Sequence, residues 1–122
     1  MIINMDGLIA NSDELRKLIL AHPELPIAVC AGESANGGDF IWQYCTFMSC
    51  NVGKLLNIKT PYDRDNYVFN DEDDFEDAVR DTLADKPEYI GLSDDDFDAA
   101  VKAEITKYTS GWKDVIFIHV DN

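Results

Sequence analysis

The order of helix and strand patterns along this chain predicts an α+β fold. One helix pattern comes first, a group of strand patterns follows, and two acidic helix patterns stand before a closing strand. The helices are too few to cross over between every pair of strands, which disfavours a doubly wound sheet. We therefore expect an antiparallel sheet of four to five strands with an N-terminal helix and two acidic helices before the last strand, in a single domain over residues 1–122.

The first helix is predicted over residues 11–22. Asn11 and Glu14 have the spacing of a capping box, and apolar residues recur at helical intervals up to the proline-containing turn HPELP. The opening MIINM fits either a strand or an extension of this helix. The apolar segment Ile27–Ala31 then predicts a short strand, and the glycine-rich residues 32–38 predict a loop.

The middle of the chain is predicted to supply most of the sheet. Residues 39–49 alternate aromatic and apolar side chains on both faces, which indicates a central strand. Weaker strand patterns at 52–58 and 66–69, joined by the turn-like TPYDRDN, complete an antiparallel meander. The closing segment 114–120, DVIFIHV, is rich in β-branched residues and is expected inside the sheet.

Two acidic helices are predicted before the closing strand. The first covers residues 71–84 with Asn70 as its N-cap, and the second covers 94–108 with Ser93 as its N-cap. Each carries an apolar stripe at helical spacing, which a disordered acidic tail would lack. Both segments are therefore expected to be folded.

The charge of the chain is strongly unbalanced. Asp and Glu number 24 against 10 Lys and Arg, and residues 63–98 hold 15 acidic side chains against three basic ones. A chain with this charge repels phosphate backbones and anionic membranes, so we expect no direct nucleic-acid or membrane binding. The acidic start, the three cysteines and apolar runs below the roughly 18 residues of a bilayer span predict a cytoplasmic protein without a signal peptide.

The acidic helices are the predicted binding surface. Solvated helix faces ordinarily mix both signs, whereas here like charges concentrate and repel at i,i+4 spacing. A basic protein partner would explain this cost, and solubility alone is the alternative. Tyrosine and tryptophan residues in the flanking loops, Tyr62, Tyr67, Tyr89 and Trp112, are further candidate anchors. The predicted partner-binding residues are Asp71, Glu72, Asp73, Asp74, Glu76, Asp77, Asp81, Asp94, Asp95, Asp96, Asp98, Tyr67 and Tyr89.

No catalytic, cofactor or metal site is predicted. Asp94, Asp96 and Asp98 match the start of a calcium-binding EF-hand loop, but Ala99 and Ile105 stand where that loop needs Gly and a bidentate Glu. The same acids suit the first turn of a capped helix.

A cysteine-based enzyme is the alternative from another class of protein. A nucleophile formed by Cys30 or Cys45 with His119 stays open, because such partners meet only in three dimensions. Free cysteines that act as small buried apolar residues are the expected case. We therefore predict a protein that is not an enzyme.

Four segments carry a resemblance to a known group: ELRKLILAHPELPIAVC, GGDFIWQY, FNDEDDFEDAV and KDVIFIHVDN. The chain resembles small acidic orphan proteins of phages and prophages of Gram-positive bacteria, and it is similar in size and charge to type II anti-CRISPR proteins. The resemblance implies an inhibitor that mimics DNA and binds the basic surface of an RNA-guided Cas nuclease with its guide RNA, in the infected bacterial cell. Such an effector holds its nucleic acid in a positively charged channel. Another basic host protein, such as a restriction enzyme or a transcription factor, is the alternative partner.

Overall fold

The computed structural model describes residues 2–38, 40–63 and 68–122. It confirms the α+β class. Contacts divide the chain into two compact units, which we call unit 1 (Met1–Gly53 with Asp114–Asn122) and unit 2 (Lys54–Lys113). That the chain forms a single domain stays a prediction. The regular elements are α1 (Met5–Ala21), β1 (Ile27–Ala31), β2 (Phe47–Leu56), α2 (Glu72–Ala84), α3 (Asp94–Thr106) and β3 (Trp112–Asp121).

Three strands form one sheet in the order β1-β3-β2. β1 pairs with β3 in parallel, from Ile27 opposite Ile116 to Ala31 opposite Val120. The expectation of four to five strands in a purely antiparallel sheet is therefore wrong for the described residues. β1 has its predicted bounds, and β3 lies in the centre of the sheet as predicted because its apolar β-branched residues favour burial on both faces.

The strand predicted over 39–49 forms only in part. Residues 40–46 lie in irregular structure and residue 39 lies outside the described residues, whereas residues 47–49 begin β2 (Phe47–Leu56). β2 also includes residues 52–56 of the strand predicted at 52–58. Side chains satisfy backbone groups of residues 40–46 in place of a strand ladder: Asn36 Nδ2 donates to the Phe40 carbonyl at 3.1 Å, and the Thr46 N–H donates to Asn122 Oδ1 at 2.9 Å. Of the strand predicted at 66–69, residues 68–69 lie outside any strand and residues 66–67 lie outside the described residues.

α1 begins earlier than the sequence predicts. Its N-cap is Asn4, whose Oδ1 accepts the Gly7 N–H at 3.2 Å, so the expected capping box at Asn11 is wrong. Met5 starts the helix, which assigns the end of the opening MIINM to helix. The helix stops at Ala21, two residues before Pro23, which cannot continue it. Within the described helices, no segment is long and apolar enough to cross a bilayer.

Unit 2 contains an aromatic core with Phe75 at its centre. The rings of Tyr62, Phe69, Tyr108 and Trp112 lie edge-on to Phe75, with centroid distances of 5.8, 5.1, 5.7 and 6.1 Å. Edge-to-face pairs stabilise a core beyond their buried area. The core also contains apolar residues of both acidic helices, including Val79, Leu83 and Val101.

Both acidic helices form close to their predicted bounds. α2 is capped by Asp71 rather than Asn70, with the Asp73 N–H donating to Asp71 Oδ1 at 2.7 Å. α3 is capped by Ser93 as predicted, with the Asp96 N–H donating to Ser93 Oγ at 3.1 Å. It ends at Thr106, two residues before the predicted end.

Candidate acidic binding surface

The fold of α2 places a row of carboxylates on its exposed face. Phe75, Val79 and Leu83 follow each other at i,i+4 spacing, and they are only 1%, 0% and 2% exposed. The opposite side of the helix therefore faces solvent. Three exposed residues at the same spacing share that side, and we call them the acidic row: Asp73, Asp77 and Asp81. Asp74 is also exposed and flanks the row.

The acidic row acts as one electrostatic feature. Four residues of helix advance about 6 Å along the axis, which is less than the Debye length of about 8 Å at physiological salt. Neighbouring charges in the row therefore repel each other, and their fields add. Within the described residues, no Lys or Arg forms an ion pair with Asp73, Asp77 or Asp81.

Two predicted binding residues, Glu76 and Asp98, form ion pairs with Arg80, unlike the residues of the acidic row. The Arg80 guanidinium lies 2.7 Å from Asp98 Oδ1 and 3.7 Å from Glu76 Oε1, and it joins α2 to α3. The hydrogen bond to Asp98, with smaller contributions from Glu76 and Asp77, raises the pKa of Arg80. Glu76 and Asp98 are half-buried, and the single positive charge of Arg80 offsets part of their negative charge. Arg80 lies four residues after Glu76, a spacing from which the sequence could have indicated this pairing.

The acids at the start of α2 also have a role in folding. Asp71 caps the helix, and Glu72, Asp73 and Asp74 occupy its first turn. Negative charges at this end interact favourably with the helix dipole. Asp77 and Asp81 lie beyond the first turn, so the helix dipole does not stabilise their charges.

The acids of α3 are arranged differently. Asp94, Asp95 and Asp96 are consecutive residues of its first turn, so they point in directions about 100° apart around the helix axis. They surround the end of the helix and do not share one face. The calcium-loop alternative is wrong, because Asp94 already begins the helix. Across residues 2–38, 40–63 and 68–122, no three His, Cys, Asp or Glu side chains are placed to hold a metal ion.

The aromatic candidates lie mostly in the core of unit 2. Tyr62 is 6% exposed, and Trp112 and Tyr89 are half-buried against the core, so the expectation of exposed loop aromatics is wrong for Tyr62. Tyr67 lies outside the described residues. A role for Tyr67 and Tyr89 in binding stays a prediction.

Tyr62 belongs to a hydrogen-bonded polar group. The sequence indicated only the part formed by Glu104 and Lys107, which are three residues apart on α3 and its C-cap. The Tyr62 hydroxyl donates to Glu104 Oε1 at 2.8 Å, and Lys107 Nζ donates to Glu104 Oε2 at 2.7 Å. Lys107 first, and Tyr62 second, hold the pKa of Glu104 below its usual range. Burial, and then the bond to Glu104, raise the pKa of Tyr62. Glu104 is thus a paired carboxylate in the fold.

The geometry gives little support to the alternative of a cysteine-based enzyme. Cys30 and His119 are opposite each other in the β1–β3 pairing, but within the described part of the chain no hydrogen bond joins them. Cys45 Sγ donates to the Ala35 carbonyl at 3.6 Å. Burial, and then the Glu14 carboxylate, raise the pKa of Cys50, which disfavours the reactive thiolate.

Comparisons with protein-family models, with curated proteins and with solved structures give no match.

Proposed function

We propose that this protein is a non-enzymatic inhibitor that presents the acidic row to the basic, nucleic-acid-binding surface of another protein. The observation that supports the proposal is the row itself: three exposed carboxylates at regular spacing, without an ion pair to Lys or Arg among the described residues, on a helix anchored by a buried apolar stripe. The partner implied by the sequence resemblance is a type II Cas nuclease with its guide RNA. Another basic host protein is the alternative partner for the same surface.

The chemistry of the row suits competition with a polynucleotide. A DNA strand carries one charge per about 3.4 Å, and the row carries one per about 6 Å before its flanking acids are counted. Because Phe75, Val79 and Leu83 are buried, the helix and its carboxylates are pre-organised, and little entropy is lost when they bind. Charges of one sign also steer association with a cationic groove.

Like-charge repulsion within the acidic row has an energetic cost. Asp77 and Asp81 form an i,i+4 pair of equal sign, and such a pair costs a few tenths of a kcal/mol in an isolated helix. We infer that this cost is retained because the surface binds a partner. Neutralising both residues should therefore leave the fold intact, or slightly more stable, while it weakens binding.

The test compares two triple variants in a DNA-cleavage assay with a type II Cas nuclease, its guide RNA and target DNA. The first variant, Asp73→Asn with Asp77→Asn and Asp81→Asn, removes the row. The matched control neutralises three exposed acids of unit 1 instead, and so has the same net charge: Asp6→Asn with Glu24→Gln and Asp114→Asn. The row variant loses three partly screened charge contacts with the partner, so its half-inhibiting concentration should rise about tenfold. The half-inhibiting concentration of the control should rise less than about twofold.

The outcomes separate the two parts of the proposal. Equal loss in both variants means that net charge matters and the row does not, which contradicts the proposed site. If the wild-type protein leaves cleavage unaffected, the Cas nuclease is not its partner. A pull-down from bacterial lysate with the wild type and both variants, at low and high salt, then tests for another basic protein. Capture that is insensitive to salt and to the row would contradict an electrostatic inhibitor.

A further inference from the structure

An aromatic cavity lies in unit 1, formed by the irregular segment before β2. It has a volume of about 410 Å³. Its apolar lining comes from three exposed rings, those of Phe40, Trp42 and Tyr44, which are 66%, 91% and 37% exposed. Its polar lining comes from Gln43, Thr46 and Asn122.

Asn122 holds the cavity wall in place. Its Oδ1 accepts the Thr46 N–H at 2.9 Å, and its Nδ2 donates to the carbonyls of Ser34 and Ala35 at 3.3 and 2.9 Å. One side chain thus joins the loop after β1 to the segment that carries the three rings. The rings are presented on a wall fixed by hydrogen bonds, which lowers the entropy cost of binding.

Gln43 lines the cavity with its side chain. Its Oε1 has no hydrogen-bond donor within the described residues, but this oxygen is closed to solvent, so a ligand in the cavity contacts the rest of the Gln43 side chain and not this oxygen.

The charge around the cavity favours a cation. Glu33 follows β1 closely, Asp121 immediately precedes Asn122, and residues 31–53 contain no Lys or Arg. Nucleotides and other anions are therefore disfavoured, even though their bases could stack on the rings. Aromatic faces attract cations, and the attraction is stronger where water is excluded.

We propose that this cavity binds the guanidinium group of an arginine side chain from a partner protein. The planar cation can stack with its face on an aromatic ring of the cavity, and the negative charge of the surroundings favours it. A lysine ammonium offers the charge without the flat face and is more strongly hydrated. That the arginine belongs to a basic protein rests on the proposed function, but the chemistry of the cavity does not, because its residues are separate from the acidic row.

The test is an NMR titration of the full chain with N-acetyl-arginine amide, followed at the Trp42 indole N–H and the Gln43 side-chain amide. Both signals should shift and saturate at millimolar concentration. The citrulline analogue, which has nearly the same shape and no charge, should bind at least about fivefold more weakly, and the lysine analogue should also bind more weakly.

Two variants test the stacking contact. Trp42→Ala should abolish the shifts at Gln43, whereas Ile41→Ala should retain them, because Ile41 is 90% exposed and does not line the cavity. A dispersed spectrum of each variant shows that it is folded.

Three results would overturn the inference: no shift at Trp42 or Gln43, equal binding of arginine and citrulline, or unchanged binding by Trp42→Ala. The row variant tests whether the cavity depends on the acidic row of the proposed function. If it binds the arginine probe normally but no longer inhibits the nuclease, the cavity and the row are independent. If the wild type binds arginine but never inhibits, the proposed function fails while the cavity assignment stands.

Discussion

Replacing Tyr62 by Phe removes one hydroxyl from the core of unit 2 and leaves its packing in place. The hydroxyl donates to Glu104 Oε1 at 2.8 Å, while the ring makes edge-on contacts with Phe75 and Tyr108. A phenylalanine ring can keep those contacts. The change in the free energy of unfolding should therefore report the hydrogen bond to the carboxylate.

The expected loss near neutral pH is about 1.5 kcal/mol. Hydrogen bonds to charged groups contribute about 1.5–3 kcal/mol, and we take the lower end because Glu104 keeps Lys107 and its side chain is 17% exposed. For a chain of this length, such a loss lowers the melting temperature by about 4–6 °C.

The loss should shrink in acid. The pKa of Glu104 is lower in the folded protein than its ordinary value. A carboxyl group with a lowered pKa contributes stability above its ordinary pKa of about 4.3, and this stability is lost as the pH falls through the folded pKa. Below that point Tyr62 faces a neutral acid, and the difference between wild type and variant should fall to about 0.5–1 kcal/mol.

Urea denaturation of the wild type and variant at neutral and acidic pH measures both effects. Tyr108→Phe is the matched control, because Tyr108 belongs to the same ring cluster and no side-chain hydrogen bond of its hydroxyl occurs within the described residues. It should change the free energy of unfolding by less than about 0.5 kcal/mol. The reasoning is refuted if the two variants lose equal stability, or if the loss in Tyr62→Phe is independent of pH.

Two further changes test the supports of the acidic helices. Ser93→Ala should cost about 1 kcal/mol and speed amide hydrogen exchange in the first turn of α3, because the Asp96 N–H loses its acceptor; unchanged exchange there would contradict the cap. Phe75→Ala should cost about 3–5 kcal/mol in denaturant melts, because four rings lose their shared neighbour. A loss below about 1 kcal/mol would mean that the aromatic core does not hold α2.

Local signals in the sequence predicted the elements that rest on local interactions. The bounds of β1 and the Ser93 cap follow from apolar runs and capping residues, and α2 differs from its prediction by one residue. The strand predicted over 39–49 was wrong for residues 40–46, because alternating aromatic residues are typical of a buried strand while these rings are mostly exposed. The Thr46 N–H instead donates to Asn122, 76 residues away, and no local pattern indicates such a contact.

The candidate acidic surface was predicted in outline. Charge density identified the acidic helices, and helical spacing predicts that Asp73, Glu76, Asp77 and Asp81 point away from the apolar stripe of α2. Of these four, all but the half-buried Glu76 are exposed. The sequence did not indicate that Asp98 of one helix pairs with Arg80 of the other, because that contact depends on how α2 and α3 pack. Gln43 was missed for a similar reason, since an unsatisfied amide is visible only when its surroundings are known.

The parallel pairing of β1 with β3 has a consequence for the order in which the chain can fold. Residues 27–31 must wait for residues 116–120 before this ladder can close, and all of unit 2 is synthesised in between. The segment 54–113 is continuous and holds its own aromatic core, so it can collapse while β1 still lacks a partner. During that interval the edge of β1 that later pairs with β3 is open to pairing with other chains.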